Sequence, residues 1–302
     1  MNVSIVILTY NSEKTIGATV EKALAASDDV HVVDSYSTDR TMELLRSWPV
    51  HVVQHPFEDY ARQRNWAMRE LPIRHPWELH LDADEMLSPE LVREILAPDP
   101  VEGVDGYFIP RLVCFLGRVL RHGGISPTWH MRLFRRGKGK CEDRLYDQHF
   151  FVRGPTGRFH SPIIDNIGLD LSEWTIRHNR WSDAEVLELQ RSTEGERISG
   201  QWFGNPVERK RALRTGYDRL PIFVRPFLLF GYRYFIRAGI LDGIEGFIFY
   251  VLQTFWFRFL IDAKQWEARR CINGLPAESF GCARSADQRR SRAQPADRRS
   301  VR

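Results

Sequence analysis

Residues 77–85 read WELHLDADE, an apolar run that ends in two carboxylates separated by one residue. Short apolar runs bounded by polar residues are typical of strands buried in a parallel sheet. Ser88 and Pro89 follow, and this pair favours the start of a helix because proline suits the first helical position. The segment therefore predicts a buried strand that ends at Asp82, with Asp84 directly beyond it.

The same order of strand and helix recurs through the first hundred residues. Short β-branched runs alternate with segments whose apolar residues recur at helical spacing. The predicted strands are 3–8, 30–34, 50–54 and 77–81, and the predicted helices are 12–26, 37–48, 60–70 and 88–96. Four such repeats favour an α/β fold with a mostly parallel sheet and helices on both faces. In these folds the ends of the strands form the ligand site.

Length and composition limit the class of protein. With 302 residues, 43% of them hydrophobic and 27% charged, the chain has room for one large domain with an appendage or for two small domains. The apolar run from Val3 to Leu8 is too short for the core of a signal peptide. Four cysteines without C-x-x-C spacing indicate reduced thiols in the cytosol.

The formal net charge of +4 is unevenly distributed, with basic residues concentrated at 205–240 and near the C-terminus. Basic segments bind nucleic acid or anionic lipid. No stacking motif or zinc-finger spacing accompanies the charge, so we expect no nucleic-acid partner.

Polar clusters follow three of the predicted strands. Asp82 and Asp84 can both reach one divalent cation, whose preference for hard oxygen ligands suits a diphosphate. An acidic turn at the start of a helix is the alternative interpretation. Asp34 ends the second strand, where a carboxylate can accept hydrogen bonds from a ribose or a base. Residues 9–11 end the first strand, where Asn11 and backbone groups could hold the base.

Six motifs together resemble one enzyme family. They are ILTYN at 7–11, VVDSYSTDRT at 32–41, QRN at 63–65, LDADE at 81–85, RLF at 132–134 and HNRW at 178–181. They look like the family 2 glycosyltransferases, which have the GT-A fold. The likeness is closest to the bacterial branch that includes lipopolysaccharide core β-1,4-glucosyltransferases, and it extends from about residue 3 to 181.

The resemblance implies an inverting enzyme with a nucleotide-sugar donor, Mg²⁺ or Mn²⁺ as cofactor and a lipid-linked saccharide as acceptor, and UDP is the expected nucleotide. The expected donor-binding residues are Thr9, Tyr10, Asn11, Asp34, Arg64 and Asp82. Arg64 is expected to face the diphosphate. Asp82 and Asp84 are assigned to the metal site, and in such enzymes the second carboxylate usually touches the metal and the first the ribose.

Inverting transfer requires a base that removes the proton of the acceptor hydroxyl as it attacks the anomeric carbon. The candidate carboxylates after the metal motif are Glu142, Asp143 and Asp147. Related enzymes often have a His-Glu pair where this chain has Asp147 and Gln148. We predict Asp147 as the base because it lies just before an apolar, strand-like run, and the other two are the alternatives.

The second half of the chain has a different pattern. Antiparallel strands are predicted near 106–111 and 130–135, and helix-prone segments at 182–200 and 206–219. We divide the chain into a nucleotide-sugar-binding half (1–105), an acceptor-binding and catalytic half (106–205), an aromatic-rich basic helical extension (206–272) and a disordered tail (273–302).

Aromatic and cationic residues alternate in the extension between 228 and 266. Its longest uncharged run, Gly246 to Phe257, is shorter than the roughly 20 residues that cross a bilayer, so we predict no transmembrane helix. The alternation is typical of helices that lie among lipid headgroups. With the resemblance, it predicts peripheral contact with anionic lipid at the cytoplasmic face of the bacterial inner membrane. Helices docked on the catalytic domain are the alternative.

Two other classes of enzyme fit the sequence less well. A sugar-phosphate nucleotidyltransferase shares the sheet and an acidic metal site, but it normally needs a glycine-rich basic loop after the first strand, and residues 9–14 read TYNSEK. A dinucleotide-binding dehydrogenase is disfavoured because no G-x-G-x-x-G follows a strand. A catalytically silent binding protein with the same fold stays open.

Overall fold

The computed structural model describes residues 1–97, 103–145, 147–168, 170–190 and 197–272. Its strands are β1 (Val3–Thr9), β2 (Val30–Asp34), β3 (His51–Gln54), β4 (Trp77–Asp82), β5 (Glu85–Leu87), β6 (Gly106–Phe115), β7 (Arg118–Val119), β8 (Thr128–Arg135), β9 (Lys140–Cys141), β10 (Phe150–Phe151), β11 (Thr156–Arg158) and β12 (Ile163–Gly168). Its α-helices are α1 (Ile16–Leu24), α2 (Thr41–Leu45), α3 (Tyr60–Glu70), α4 (Pro89–Leu96), α5 (Leu171–Gln190), α6 (Pro206–Asp218), α7 (Arg225–Gly231), α8 (Gly243–Phe249) and α9 (Phe257–Ile272). Shorter helical pieces lie between α7 and α9 at Tyr232–Ile236, Gly239–Asp242 and Tyr250–Trp256.

The first half of the sheet is parallel and centred on β1. β1 pairs with β2 and β4, and β2 pairs with β3. Ile5 and Ile7 lie in one core with residues of α1, whereas Val6 and Leu8 lie in another with residues of α3. The two cores exist because successive side chains of a strand point to opposite faces of the sheet. The predicted α/β sheet with helices on both faces is confirmed.

The segment after residue 105 continues the same sheet. β8 pairs antiparallel with β4 and β6, and β12 pairs parallel with β6 and antiparallel with β5. The resulting order is β3-β2-β1-β4-β8-β6-β12-β5. The antiparallel strands predicted near 106–111 and 130–135 are therefore parts of β6 and β8. Because the two halves share one sheet, residues of both can line one cavity.

The acidic motif occupies the tight turn between β4 and β5. The Glu85 carboxylate accepts a hydrogen bond from the Asp82 N–H at 3.0 Å, which closes the turn. The Ser88 hydroxyl accepts the Leu91 N–H at 3.1 Å and Pro89 occupies the first turn of α4, so the sequence starts this helix where it was predicted. The position of the motif is thus fixed by local interactions on both sides.

Some predicted boundaries are wrong. α1 begins at Ile16 rather than at residue 12, and α2 covers only Thr41–Leu45. The loop before α2 is held by side chains, since the Asp39 carboxylate accepts the Thr41 N–H at 3.0 Å. α5 begins at Leu171, well before the predicted residue 182, and this places the HNRW motif within a long helix.

One face of the extension packs against the domain and another is exposed. Phe249 and Tyr250 lie in a core with Trp174 of α5, and Phe257 lies in a second core with Val186 of the same helix. The docked-helix alternative therefore describes the inner face. The exposed apolar face consists of Val224, Phe227, Leu228, Phe235, Ile236, Ile240, Leu241, Ile244 and Phe247.

In the described part of the chain, Gly239–Arg270 is a helical run of 32 residues whose most apolar stretch has a mean hydropathy of 1.4. Judged by length and composition alone, this run is long enough to cross a membrane. The short uncharged run Gly246 to Phe257 predicts no transmembrane helix. The helix continues past that run through Arg258, so the prediction from length is wrong. About a third of that stretch is buried, at 33%. The tail predicted at 273–302 lies outside the described residues.

Candidate active site

A cavity of about 1320 Å³ lies at the carboxyl ends of β1 and β4. It is lined by residues 8–15 after β1, by the turn 82–84, by one side of α5 and by part of the extension. Sites for one small molecule usually have volumes of roughly 300–1,000 Å³. This cavity therefore has room for two substrates.

The loop after β1 forms the wall where the nucleoside is expected. Thr9, Tyr10 and Asn11 all line the cavity. The Thr9 hydroxyl is buried and has no hydrogen-bond partner among the described residues. Asn11 has a φ of +46°, which asparagine tolerates better than most residues, and its side-chain oxygen accepts the Thr38 N–H at 2.8 Å. Asn11 thus braces the neighbouring loop, and the Thr9 hydroxyl, unpaired among the described residues, lies just behind the cavity wall.

Asp34 ends β2, as predicted, but lies behind the cavity wall. It is fully buried and does not line the cavity. Its carboxylate accepts hydrogen bonds from the Ser37 N–H at 3.0 Å, from the Ser37 hydroxyl and from the Gln54 amide at 2.9 Å. These partners engage the carboxylate, so Asp34 positions the loop that follows β2, and its contact with ribose or base stays a prediction.

Asp82 is held by two arginines from different elements. Arg64 of α3 donates to its Oδ1 at 2.8 Å, and Arg132 of β8 donates to its Oδ2 at 3.0 Å. Arg132 also donates to Glu85 at 2.6 Å. Burial opposes ionisation, but the two arginines outweigh it and hold the pKa of Asp82 below its usual range. Arg64, predicted to face the diphosphate, lines the cavity and uses part of its guanidinium on Asp82.

The negative charge of Asp84 is compensated less than that of Asp82. It is contacted by Arg177 of α5, with 3.4 Å between Nη1 and Oδ2. Burial raises the pKa of Asp84 to about 6, Arg177 opposes the rise, and the nearby Asp82 and Glu85 carboxylates add to it. The turn thus presents a carboxylate whose negative charge a cation would stabilise.

The residues at this turn fit a divalent cation that also binds substrate oxygens. Mg²⁺ is usually held by one or two carboxylates together with substrate phosphates. Across the described ranges, no group of three or more His, Cys, Asp or Glu residues could hold a metal ion by itself. Asp84 is the residue best placed to contact Mg²⁺ or Mn²⁺, and Asp82 is fixed beside it by arginines.

Two of the three predicted bases do not reach the cavity. Glu142 is fully buried, and its carboxylate accepts from Arg211 at 2.7 Å and from the His149 N–H at 2.9 Å. Asp143 is exposed and lies outside the cavity lining. A base must lie within hydrogen-bond reach of its substrate, so this arrangement favours neither Glu142 nor Asp143.

Asp147 does line the cavity. Lys210 and Arg211 of α6 each contact its carboxylate at 2.8 Å. Burial opposes ionisation, but Lys210, His149 and Arg211 hold the pKa of Asp147 well below its usual range. The carboxylate is therefore ionised at neutral pH and is a weak proton acceptor.

Sequence reasoning missed Asp165 of β12 and Arg177 of α5. Asp165 lines the cavity and lies 3.0 Å from Arg111. Burial raises its pKa well above the usual range, with Arg111 opposing and Asp84 adding to the rise. The pairing of β12 with β5, which places Asp165 opposite Glu85, has no signal in a single sequence. Arg177 could have been found, because it lies one residue before the HNRW motif.

The acidic turn lies below a cavity at the carboxyl edge of a parallel sheet, which is where α/β proteins bind their ligands. The model of glycosyl transferase family 2 matches residues 4–156. Two curated relatives are uncharacterized glycosyltransferases of Rickettsia. The Rickettsia prowazekii protein is 34% identical over 271 residues, covering 87% of this chain and 86% of the relative. The Rickettsia typhi protein is 36% identical over 273 residues, with coverages of 87% and 86%. The chain therefore belongs to glycosyltransferase family 2, and the predicted fold class is confirmed.

Solved structures with a similar course of the chain share less of its sequence than the two relatives do. Staphylococcus aureus TarS 1–349 in complex with UDP has a TM-score of 0.44 and 13% identity, covering 89% of this chain and 92% of that chain. Glucosyl-3-phosphoglycerate synthase from Mycobacterium tuberculosis, in complex with Mn²⁺, UDP and glucosyl-3-phosphoglycerate, has a TM-score of 0.32 and 19% identity, covering 37% and 44%. At such similarities these neighbours do not identify the donor or the metal of this chain.

Proposed function

We propose that the chain is an inverting, divalent-cation-dependent glycosyltransferase that moves a sugar from a UDP-sugar to a lipid-linked saccharide. The proposed setting is bacterial cell-surface polysaccharide or lipopolysaccharide biosynthesis at the cytoplasmic face of the inner membrane. The observation that carries the proposal is the turn 82–84. There, Asp82 is neutralised by two arginines and Asp84 lacks equal compensation, within a cavity large enough for two substrates.

The donor is proposed to lie between the loop after β1 and the start of α5. Thr9, Tyr10 and Asn11 would contact the nucleoside, and Asp84 would hold the cation at the diphosphate. A bound divalent cation would stabilise the charge on the departing diphosphate. Arg177 lies 3.4 Å from Asp84, where its guanidinium can donate to the same phosphates.

The acceptor is proposed to enter beside Asp147. This carboxylate would accept the proton of the acceptor hydroxyl while the hydroxyl oxygen bonds to the anomeric carbon and the bond from that carbon to the diphosphate breaks. Attack from the face opposite the leaving group inverts the configuration. Leu229 and Phe249 of the extension line the same cavity, which supports an acceptor with an apolar part.

The first test is a thermal-shift panel of UDP, GDP and TDP with and without Mn²⁺. A ligand that binds only the native state at 100 times its Kd adds about 2.7 kcal/mol to the free energy of unfolding. We expect UDP with Mn²⁺ to raise the Tm by several degrees and to exceed UDP alone. The proposal is contradicted if no nucleoside diphosphate raises the Tm with or without Mn²⁺.

The same panel bears on the remaining alternatives. Membership in glycosyltransferase family 2 leaves nucleotide-sugar synthesis without support. A catalytically silent binding protein would bind UDP with Mn²⁺ but release none from a UDP-sugar in the presence of a bacterial lipid extract. Release of UDP that depends on the lipid extract would support transfer.

Contact with the membrane gives a second prediction. The exposed apolar face of the extension lies next to basic residues, so we expect the full chain to sediment with phosphatidylglycerol vesicles and to be partly released by salt. The double variant Ile236→Glu and Ile244→Glu should not sediment, because it places two negative charges on the exposed apolar face. Both side chains are largely exposed, at 76% and 64%.

The matched control is Leu96→Glu, which places the same charge at a similarly exposed site on α4, at 57%. It should sediment like the unmodified chain. If the unmodified chain stays in the supernatant at low salt, the exposed face does not bind membranes and only the docked-helix interpretation remains.

A further inference from the structure

Two arginines of the extension line the active-site cavity, and neither has a carboxylate partner among the described residues. Arg233 lies in the helical piece Tyr232–Ile236, and Arg258 lies at the start of α9. Both line the cavity that also contains Asp84. In the described ranges, neither guanidinium forms a hydrogen bond or an ion pair with a carboxylate, and Nη1 of Arg258 is buried without an acceptor.

Arg225, a fully buried arginine of the extension, contrasts with Arg233 and Arg258, which are half-buried. Arg225 is buried, and its Nε donates to Asp262 at 2.9 Å. Buried arginines normally have such partners, because an unpaired buried charge is costly. The absence of a carboxylate for Arg233 and Arg258 therefore needs a separate explanation.

The two charges also repel each other. Burial lowers the pKa of Arg233 to about 10, and the nearby Arg258 contributes to the decrease. Two partly desolvated like charges destabilise the folded state when no carboxylate compensates them. A bound anion would supply the missing negative charge.

The proposed function assigns the donor diphosphate to another part of the cavity. Asp84 and Arg177 lie at the carboxyl edge of the sheet, whereas Arg233 and Arg258 belong to the extension, together with the apolar Leu229 and Phe249. An anion at the extension would therefore belong to the second substrate. Guanidinium groups bind phosphate oxygens through paired N–H donors, which makes phosphate the best match.

We propose that Arg233 and Arg258 bind a phosphate group of the acceptor. This inference rests on the proposed function, since it assigns the extension end of the cavity to the acceptor. The phosphate could be part of a lipid anchor or a substituent on the saccharide. The apolar lining beside the arginines favours the lipid anchor.

Calorimetry on the full chain saturated with UDP and Mn²⁺ tests this inference, because the donor site is then filled. The probes are glucose 1-phosphate and dihexanoyl phosphatidate below its micelle concentration. We expect both to bind, and the phosphatidate to bind more tightly if the phosphate belongs to a lipid. Equal affinities would place the phosphate on the saccharide.

The test variant is Arg233→Gln with Arg258→Gln, and the matched control is Arg237→Gln, an exposed arginine of the same segment outside the cavity lining. The double variant should weaken probe binding by at least about tenfold, the loss expected for charge-assisted hydrogen bonds, while the control leaves it unchanged. The Tm should not decrease, because two unpaired like charges are removed. The pair Arg233→Lys with Arg258→Lys keeps the charge and should bind the probes with intermediate affinity.

The inference is overturned if the double variant binds the probes like the unmodified chain, or if its affinity for UDP decreases in parallel. A large decrease in Tm in both double variants would also overturn it, because the arginines would then be structural. If the unmodified chain binds no UDP, the proposed function fails. In that case, binding of the two probes to the chain without UDP would still test whether Arg233 and Arg258 bind phosphate.

Discussion

Asp84→Asn is expected to weaken Mn²⁺-dependent binding of UDP by on the order of 100-fold. Mutation of a residue that supports a metal site lowers metal affinity on this scale. Asp84 lies in the turn after β4, and the cation that its carboxylate contacts among the described residues is Arg177, at 3.4 Å. The amide removes the charge that would attract the cation and keeps the shape of the side chain. Titration calorimetry with UDP, with and without Mn²⁺, measures the loss.

The fold should tolerate this change. Burial and the neighbouring Asp82 and Glu85 carboxylates disfavour the charged form of Asp84, so the Tm of the metal-free variant should stay unchanged or increase. Asp143→Asn is the matched control, because it makes the same change at an exposed carboxylate outside the cavity lining. Equal, metal-dependent affinity in Asp84→Asn and the unmodified chain would refute the assignment of Asp84 to the metal.

The sheet and the acidic turn were predictable because their signals are local. The buried runs of β1, β2 and β4 are continuous in sequence, and Ser88 with Pro89 marks the start of α4. The role of Asp34 could have been found in the same way. Its partner Ser37 lies three residues later, a spacing at which an aspartate often bonds the backbone of its own loop.

The chemistry of the base was not predictable, because it depends on distant residues. Lys210 and Arg211 lie more than sixty residues after Asp147, and no pattern in one sequence shows that α6 covers this carboxylate. The length of the apolar helix was misjudged for a related reason. Arg258 ends the uncharged run, yet in the fold its side chain lies in the cavity and the helix continues past it.

Two carboxylates of the cavity compete for the role of base. Asp147 is held ionised by Lys210 and Arg211, so it can accept a proton at neutral pH, although weakly. Asp165 has a raised pKa and contacts Arg111, but it lies opposite Glu85, close to the proposed donor diphosphate. A base for the acceptor should lie away from the leaving group, because inversion requires attack from the opposite face. This geometry favours Asp147.

Asp147→Asn is accordingly expected to lower kcat by around 100-fold or more, the scale of a lost general base, while the Kd of UDP with Mn²⁺ stays near that of the unmodified chain. Transfer of labelled sugar from the donor found by the ligand panel to a bacterial lipid extract measures kcat. Asp143→Asn is the matched control, since this exposed carboxylate lies outside the cavity lining and its loss should leave the rate unchanged. If Asp147→Asn transfers sugar at the normal rate and Asp165→Asn is inactive with intact UDP binding, the base is Asp165, and the ion pairs of Asp147 with α6 are structural.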